Sequence, residues 1–288
     1  MLFFKILLAI IVIVLLIIGI LFGTGYMMFN KYITQEIKQL ADLASGELPP
    51  IFTYDDLEGL PEPVETYFKY ALRSGQEDVQ FARLKQTGVF KSQEAADWNY
   101  MEAEQYFATE DPAFIWIARM KAAPLIWIGA MDKYSGGKGN LTIKFLSALT
   151  IRSASSKEIN ISEMIRFFAE APWFPTALLP SRYVTWEEID ETRAQITFSA
   201  HDLSATGVFY FNDQGQIEKF ITYDRYRESG GRYYKEQWTG YYKDYQEFNG
   251  MRIPTKLEAE WNLENWDFKY ISVNLKDVQY NVPTRFEK

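Results

Sequence analysis

Carboxylates are the first residues in this chain whose spacing suggests chemistry. Glu102 and Glu104 sit two apart in a stretch that reads as a strand. Their side chains then share a face about 6.5–7 Å apart, a separation that suits two carboxylates flanking a water in an inverting glycosidase. Met101, Ala103 and Phe107 occupy the other face and look like the core side, which puts the two glutamates outside. Glu187, Glu188, Asp190 and Glu191 cluster as calcium ligands do, but the D-x-[DN]-x-[DN]-G loop that wraps the ion is missing, and a solvated charged turn is expected. His201 is the single histidine and precedes Asp202. Neighbours on a strand point to opposite faces, and no G-x-S-x-G motif accompanies them, so a turn histidine is expected. Gly136, Gly137 and Gly139 lead into the strand pattern Leu141, Ile143, Phe145, whereas a phosphate cradle should open a helix. The chain has no cysteine, which excludes thiolate nucleophiles, zinc-thiolate sites and disulfides. These residues point to no enzyme, metal or cofactor.

Aromatic side chains are the remaining signal. Phe114 and Trp116 alternate on one expected strand, Leu125 and Trp127 on the next, and a later apolar segment adds Met164, Phe168, Trp173, Phe174 and Leu178. A sheet curved around that segment brings Trp116, Trp127, Met164, Phe168, Trp173, Phe174 and Leu178 to one place. If a groove remains between them, it suits an acyl chain: burial contributes about 0.8 kcal/mol per CH₂, on the order of 10 kcal/mol for a 14-carbon chain before ordering costs. The competing expectation is that these side chains fill the space and leave a dry core.

The elements that must position them follow from periodicity. The segment Asn160 to Pro180 is a helical insert, with Asn160 as its cap, Glu163 reaching back to it, and Ile161, Met164, Ile165 and Phe168 on one apolar face. Pro172 stops the helix. From Val79 to Val278, about twelve candidate strands surround this insert, with hairpin turns at Asn212 to Gly215, Glu228 to Gly231 and Asn249-Gly250. Phe114 to Ala118 and Leu125 to Met131 are apolar on both faces, so both sides of the sheet need a cover there, and the insert is one. In the run of tyrosines, alternation puts Tyr234, Trp238 and Tyr242 on one face. Val64, Tyr67, Phe68, Ala71 and Leu72 form an amphipathic helix that should dock on the sheet.

The N-terminus bounds location. Ile6 to Phe22 is an apolar run, extended on both sides, and about 20 such helical residues span roughly 30 Å of hydrocarbon. Gly23-Thr24-Gly25 would suit a signal peptidase, but the run exceeds the usual h-region, which favours an uncleaved anchor. Lys5 and the α-amino group on one side balance Lys31 and Lys38 on the other, so loop charge assigns no orientation. A net charge of −8 and a pI near 5.0 argue against nucleic acid and anionic lipid surfaces as partners. The expected division is residues 1–30 as transmembrane anchor, 31–60 as juxtamembrane helix and acidic Pro-rich linker, and 61–288 as a β-barrel-like domain with the insert at 160–180.

Leu60 to Val64 (L-P-E-P-V), Asp132 to Gly139 (D-x-Y-x-x-G-x-G), Ala169 to Leu179 (A-E-A-P-W-F-P-T-A-L-L) and Trp186 to Asp190 (W-x-x-I-D) together resemble a family of uncharacterised bacterial proteins, a domain of unknown function with no activity to carry over. The order of elements, antiparallel strands with a helical insert midway, is similar to the unclosed barrels of the lipoprotein carriers LolA and LolB. That resemblance implies a curved sheet around helices with an apolar pocket for acyl chains. The long anchor and the missing lipid-modified cysteine depart from those carriers and argue against free shuttling.

The resulting expectation is an all-β-dominated (α+β) fold, an open or half-closed antiparallel barrel with a central helical insert behind a single-pass membrane helix. Its expected work is binding a lipid, acyl chain or similar apolar ligand in the bacterial envelope, with the soluble domain outside the cytoplasm. A structural or interaction domain with a filled core, and a hydrolase with at least two convergent titratable groups in a pocket, are the alternatives.

Overall fold

The computed structural model describes residues 1–44, 48–124 and 126–287. Ser45, Gly46 and Glu47, in the stretch expected as linker, and Leu125, expected on a strand with Trp127, lie outside the described residues, as does Lys288. Thirteen strands form one antiparallel sheet. The first six are β1 (Phe81–Phe90), β2 (Asn99–Ala108), β3 (Ala113–Ala123), β4 (Ile126–Ser135), β5 (Lys138–Phe145) and β6 (Leu149–Ala154). After the insert come β7 (Val184–Asp190), β8 (Arg193–Ala200), β9 (Leu203–Phe211), β10 (Ile217–Thr222), β11 (Gln237–Phe248), β12 (Met251–Leu263) and β13 (Trp266–Tyr280).

Their order across the sheet is β6-β5-β4-β3-β2-β1-β13-β12-β11-β10-β9-β8-β7, two meanders joined where β1 pairs with β13. β6 and β7 are therefore opposite edges, and the chain between them must cross from one to the other. Among the described residues no ladder joins those edges, so the sheet is open. Two contacts draw its wings together. A Cβ added to Gly137, in the β4–β5 turn, would lie 3.0 Å from Cβ of His201, and His201 Nε2 is 3.2 Å from Asp111 Oδ1. At the edge itself, Arg152 of β6 pairs with Glu228 of a separate two-stranded hairpin, Tyr226–Ser229 with Arg232–Lys235. Asn249 and Gly250 both have positive φ, 49° and 83°, the two-residue turn whose twist matches its flanking strands.

The crossing segment holds helix α3 (Lys157–Ala169) and two 3-10 turns, Ala171–Trp173 and Pro175–Leu178. Its cap is Ser156, whose hydroxyl accepts the Ile159 N–H at 3.2 Å. Asn160, the expected cap, lies one turn inside, and its side-chain oxygen accepts the Gly139 N–H at 2.8 Å. Ser156 wins because the helical pattern starts earlier than its apolar face. Pro172 follows the last helical residue by three, as the missing N–H and ring clash require. Met164, Ile165, Phe167 and Phe168 are buried; Phe168 stacks on Phe198 with ring centres 4.3 Å apart, and Phe174 meets Phe107 at 4.4 Å.

Helix α1 (Leu2–Asp42) covers the other side of the sheet. Phe29, Ile33, Ile37 and Leu40 are buried with Ile115 and Met131, at about 1.5–3 kcal/mol for each such side chain. Glu36 pairs with Lys133 of β4. Strands apolar on both faces thus lie between α3 and α1. In the stretch expected as linker, Ile51–Phe52 pairs with Gln76–Glu77, Tyr54–Leu57 forms a 3-10 turn, and Phe52 and Leu57 are buried. Helix α2 (Glu62–Ala71) buries Val64, Tyr67, Phe68 and Ala71. Tyr234 does not share a wall with Trp238 and Tyr242: it stands in the separate hairpin and is exposed, while the other two are buried.

Candidate functional site

The insert has a second face that its apolar stripe hides. Glu163, Arg166 and Glu170 recur at i, i+3 and i+7, so they line one side of α3, and all three are turned inward. Arg166 Nη1 donates to Asp132 Oδ2 of β4 at 2.5 Å, and its Nε donates to Glu170 Oε1 at 2.9 Å. From Glu170 the polar chain runs back across the sheet. Gln105 donates to Glu170 at 2.6 Å, Gln86 donates to Gln105 at 2.9 Å, and the Trp116 indole donates to Gln86 at 3.1 Å. Each member after Glu170 sits on the concave face of its own strand, β2, β1 and β3, because alternation places Gln105 with Phe107 and Trp116 with Phe114.

Next to this network lies a cavity of about 250 Å³ between α3 and the sheet. Its apolar walls come from both wings, Trp116, Met120 and Ile143 on one side and Trp238, Leu257 and Tyr270 on the other, and it reaches Phe90 near the tip of β1. Arg225, just after β10, also lines it. Its guanidinium is 4.5 Å from the Trp238 ring and 5.7 Å from the Trp261 ring, and Nη1 donates to the Tyr270 hydroxyl at 3.4 Å.

Three buried polar atoms at this cavity have no hydrogen-bond partner among the described residues: Asp132 Oδ1, Glu163 Oε2 and Arg225 Nε. Glu163 Oε2 is 3.7 Å from Arg166, an ion pair too long to be a hydrogen bond. Buried polar atoms are nearly always satisfied, so three orphans on one wall mark a place where a polar group or water belongs. Burial pushes the Glu163 carboxyl up to about 7, with Arg166 opposing. The Asp132 carboxyl is also raised by burial, and Arg166 again opposes. Burial pulls the Arg166 guanidinium down, but Glu170, Asp132 and Glu163 outweigh it and hold it above its usual value. The arrangement can take an amphiphile, apolar against the rings and polar at the orphaned atoms. A carboxyl near neutrality in a water-poor space can also exchange a proton.

Of the residues expected to line a groove, Trp116 and Trp173 border the cavity. Met164, Phe168, Phe174 and Leu178 are buried in the aromatic core and do not line it. Trp127 is on the convex face, its ring 3.8 Å under Arg119 and its N–H donating to Ser147 Oγ at 3.0 Å. The register explains this: Trp116 pairs with Asp132, whereas Trp127 pairs with Lys121, an odd number of residues away and so on the opposite face. Glu102 and Glu104 are on that convex face too, and Glu104 accepts the Tyr106 hydroxyl at 2.6 Å. His201 is a turn residue with φ of 55°. Asp190 accepts from Thr192 and Arg193 at the exposed edge. Sequence reasoning missed Gln86, Asp132, Glu163 as a cavity residue, Arg166, Glu170 and Arg225. The one available signal was the Glu-Arg-Glu spacing on an otherwise apolar insert.

Comparison with known proteins adds the following. A family model described as a family of unknown function, DUF6544, matches residues 50–273. No curated protein sequence matches. Among solved structures, the chain is similar to a LolA superfamily protein from Nitrosomonas europaea at 11% identity, covering 76% of this chain and 93% of that one with a TM-score of 0.40. It is also similar to a DUF1329 family protein from Desulfovibrio piger at 10% identity, covering 77% and 95% with a TM-score of 0.42.

Proposed function

We propose that this chain, which belongs to the DUF6544 family of unknown function, is a membrane-tethered binding protein for a lipid, an acyl chain or a similar amphiphile of the bacterial envelope. The observation that carries the reading is the cavity of about 250 Å³ beside α3, apolar on its walls and bordered by three unpartnered polar atoms. A cavity of about 150 Å³ is enough to hold a benzene ring, and ligand clefts run from about 300 Å³ upward. The space therefore takes part of an amphiphile, and the remainder extends past Phe90 and Met120. A filled-core interaction module gives no reason for such a space. The tether is the first half of α1, the one helix among the described residues long and apolar enough to cross a membrane. We place the β-sheet domain outside the cytoplasm as part of the same proposal.

The test uses the full chain in its membrane with a fatty acid bearing a diazirine in its chain. Crosslinks on peptides holding Met120, Ile143 or Leu257 are the expected outcome. Labelling confined to residues 2–25 would remove the binding reading.

A second reading rests on the titratable cluster. An enzyme requires convergent titratable groups in a pocket, and Asp132, Glu163, Arg166 and Glu170 meet that requirement. In that case Glu163 exchanges the proton while Arg166 holds the charge that develops. Turnover of a chromogenic ester or glycoside by the full chain, lost in Glu163→Gln, would favour it over simple binding.

A further inference from the structure

The end of the sheet where α1 departs has its own surface. From Asp42 back to Gly25, α1 lies along the convex face; there Gly25 meets Ala148 of the β5–β6 turn, and the Phe22 ring is 6.0 Å from Phe145. Residues before Phe22 leave the sheet behind, about 30 Å of helix at 1.5 Å per residue. Register brings the tips of β2 to β6 to this same end: Asn99 pairs with Phe90, Ala123 with Ile126, Ile128 with Phe145, and Phe145 with Leu149. The side chains at these tips include Trp98, Tyr100, Ile126, Leu149 and Ile151, each between 40% and 60% exposed. Single exposed apolar residues are ordinary. Here five lie beside the point where a membrane-length helix leaves the domain. The other end of the same strands carries a polar Ser135-Gly136-Gly137-Lys138 turn.

We infer that the tips of β2 to β6 rest in the interfacial layer of the bilayer that α1 enters, with Trp98, Tyr100, Ile126, Leu149 and Ile151 as the immersed residues. Tryptophan and tyrosine favour that layer because an apolar ring and a polar handle meet both of its sides. Lys121, exposed at the same tips, has a stem long enough to lie along apolar surface while its charge reaches water. The partner is the lipid surface itself, and the docked half of α1 makes the contact geometric: a helix packed along the strands cannot enter the membrane without bringing these tips down with it. The inference rests on the tether proposed above. It adds that the cavity, which extends to Phe90 and Met120 near these tips, lies within reach of lipid.

The chain has no cysteine, so single labels are clean. Trp98→Cys, Ile126→Cys and Leu149→Cys, each carrying a nitroxide, are placed in the full chain in zwitterionic phosphatidylcholine nanodiscs loaded with one copy. Lys138→Cys, at the opposite end of β5, is the reference. The expected result is that at least two of the three tip labels relax more with oxygen than with a water-soluble nickel chelate, while Lys138 shows the reverse order. Nickel dominating at two or more tip positions overturns the inference, and that is also what a surface made for a second copy or another protein would give. A chain that does not enter nanodiscs overturns tether and docking together. Immersed labels without any cavity crosslink leave the docking in place and remove the ligand reading.

Discussion

At the scale of single residues, Arg166 carries the site. It is buried and faces Asp132, Glu170 and Glu163 at 2.5, 2.9 and 3.7 Å. Removing one partner of a buried ionic group leaves the others uncompensated, which costs about 3–5 kcal/mol. Arg166→Leu should therefore lower the stability of the full chain in detergent by about that amount at pH 7, and by less at pH 5, where the orphaned carboxyls take up protons. Thermal unfolding followed by tryptophan emission measures both. Glu163 gives a second test. Its folded-state value lies near 7, above its ordinary 4.5. Below about 4.5 both folded and unfolded chains hold the proton. Between there and about 7 the unfolded chain releases it and the folded one keeps it, so this group's contribution is lost as pH rises and levels off above 7. Glu163→Gln should flatten the stability profile between pH 5 and 8; an unchanged slope would mean that Glu163 is ionised in the fold. Of this, only the Glu163-Arg166-Glu170 spacing on an otherwise apolar insert was legible from the chain alone. Asp132 stood in a glycine-rich turn motif and Glu163 looked like a capping residue, and only the crossing of α3 over β4 makes them neighbours.

At the scale of elements, periodicity revealed much more. The apolar face of the insert, the helix at Val64 to Leu72, the strand alternation and the Asn249-Gly250 turn were all readable, because each depends on spacing within one segment. Strand register was not, since pairing is set between segments. That is why Trp127 was grouped with Trp116, although it faces the other way, and why Phe174 was placed in a groove although it is packed against Phe107. Two-sided apolarity at Phe114 to Ala118 correctly demanded two covers, and the second is α1. Ile37 of α1 is 1% exposed against that face. Ile37→Asp puts an unpaired carboxylate there and should release residues 26–42 from the sheet. Faster tryptic cleavage at Lys31 and Lys38 in nanodiscs, with the β-domain fragment still folded, is the expected outcome. Unchanged cleavage would mean that the docked half of α1 holds by other contacts.

At the scale of the whole molecule, the strand order explains why there is a site at all. The two meanders meet at β1 and β13 and leave β6 and β7 as opposite edges. The chain must return from one edge to the other, and the shortest cover for an apolar concave face is the helix that makes this return. A helix apolar all round would fill that face; this one turns Arg166 toward Asp132 of β4 and Glu170 toward Gln105 of β2, and leaves a cavity beside them. The open antiparallel architecture was readable from many short strands, a single insert and hairpin turns. The joining of the first strand to the last was not, because it links residues about 190 apart in the chain with no local trace. The most direct test is native mass spectrometry of the full chain released from detergent, comparing the wild type with Ala130→Phe; Ala130 of β4 also lines the cavity, and the substitution adds a ring to its wall. The expected result is an adduct of lipid mass on the wild type that is absent from Ala130→Phe while the variant's unfolding temperature stays within a few degrees. A bare wild-type mass that takes up neither added fatty acid nor added phospholipid would contradict it.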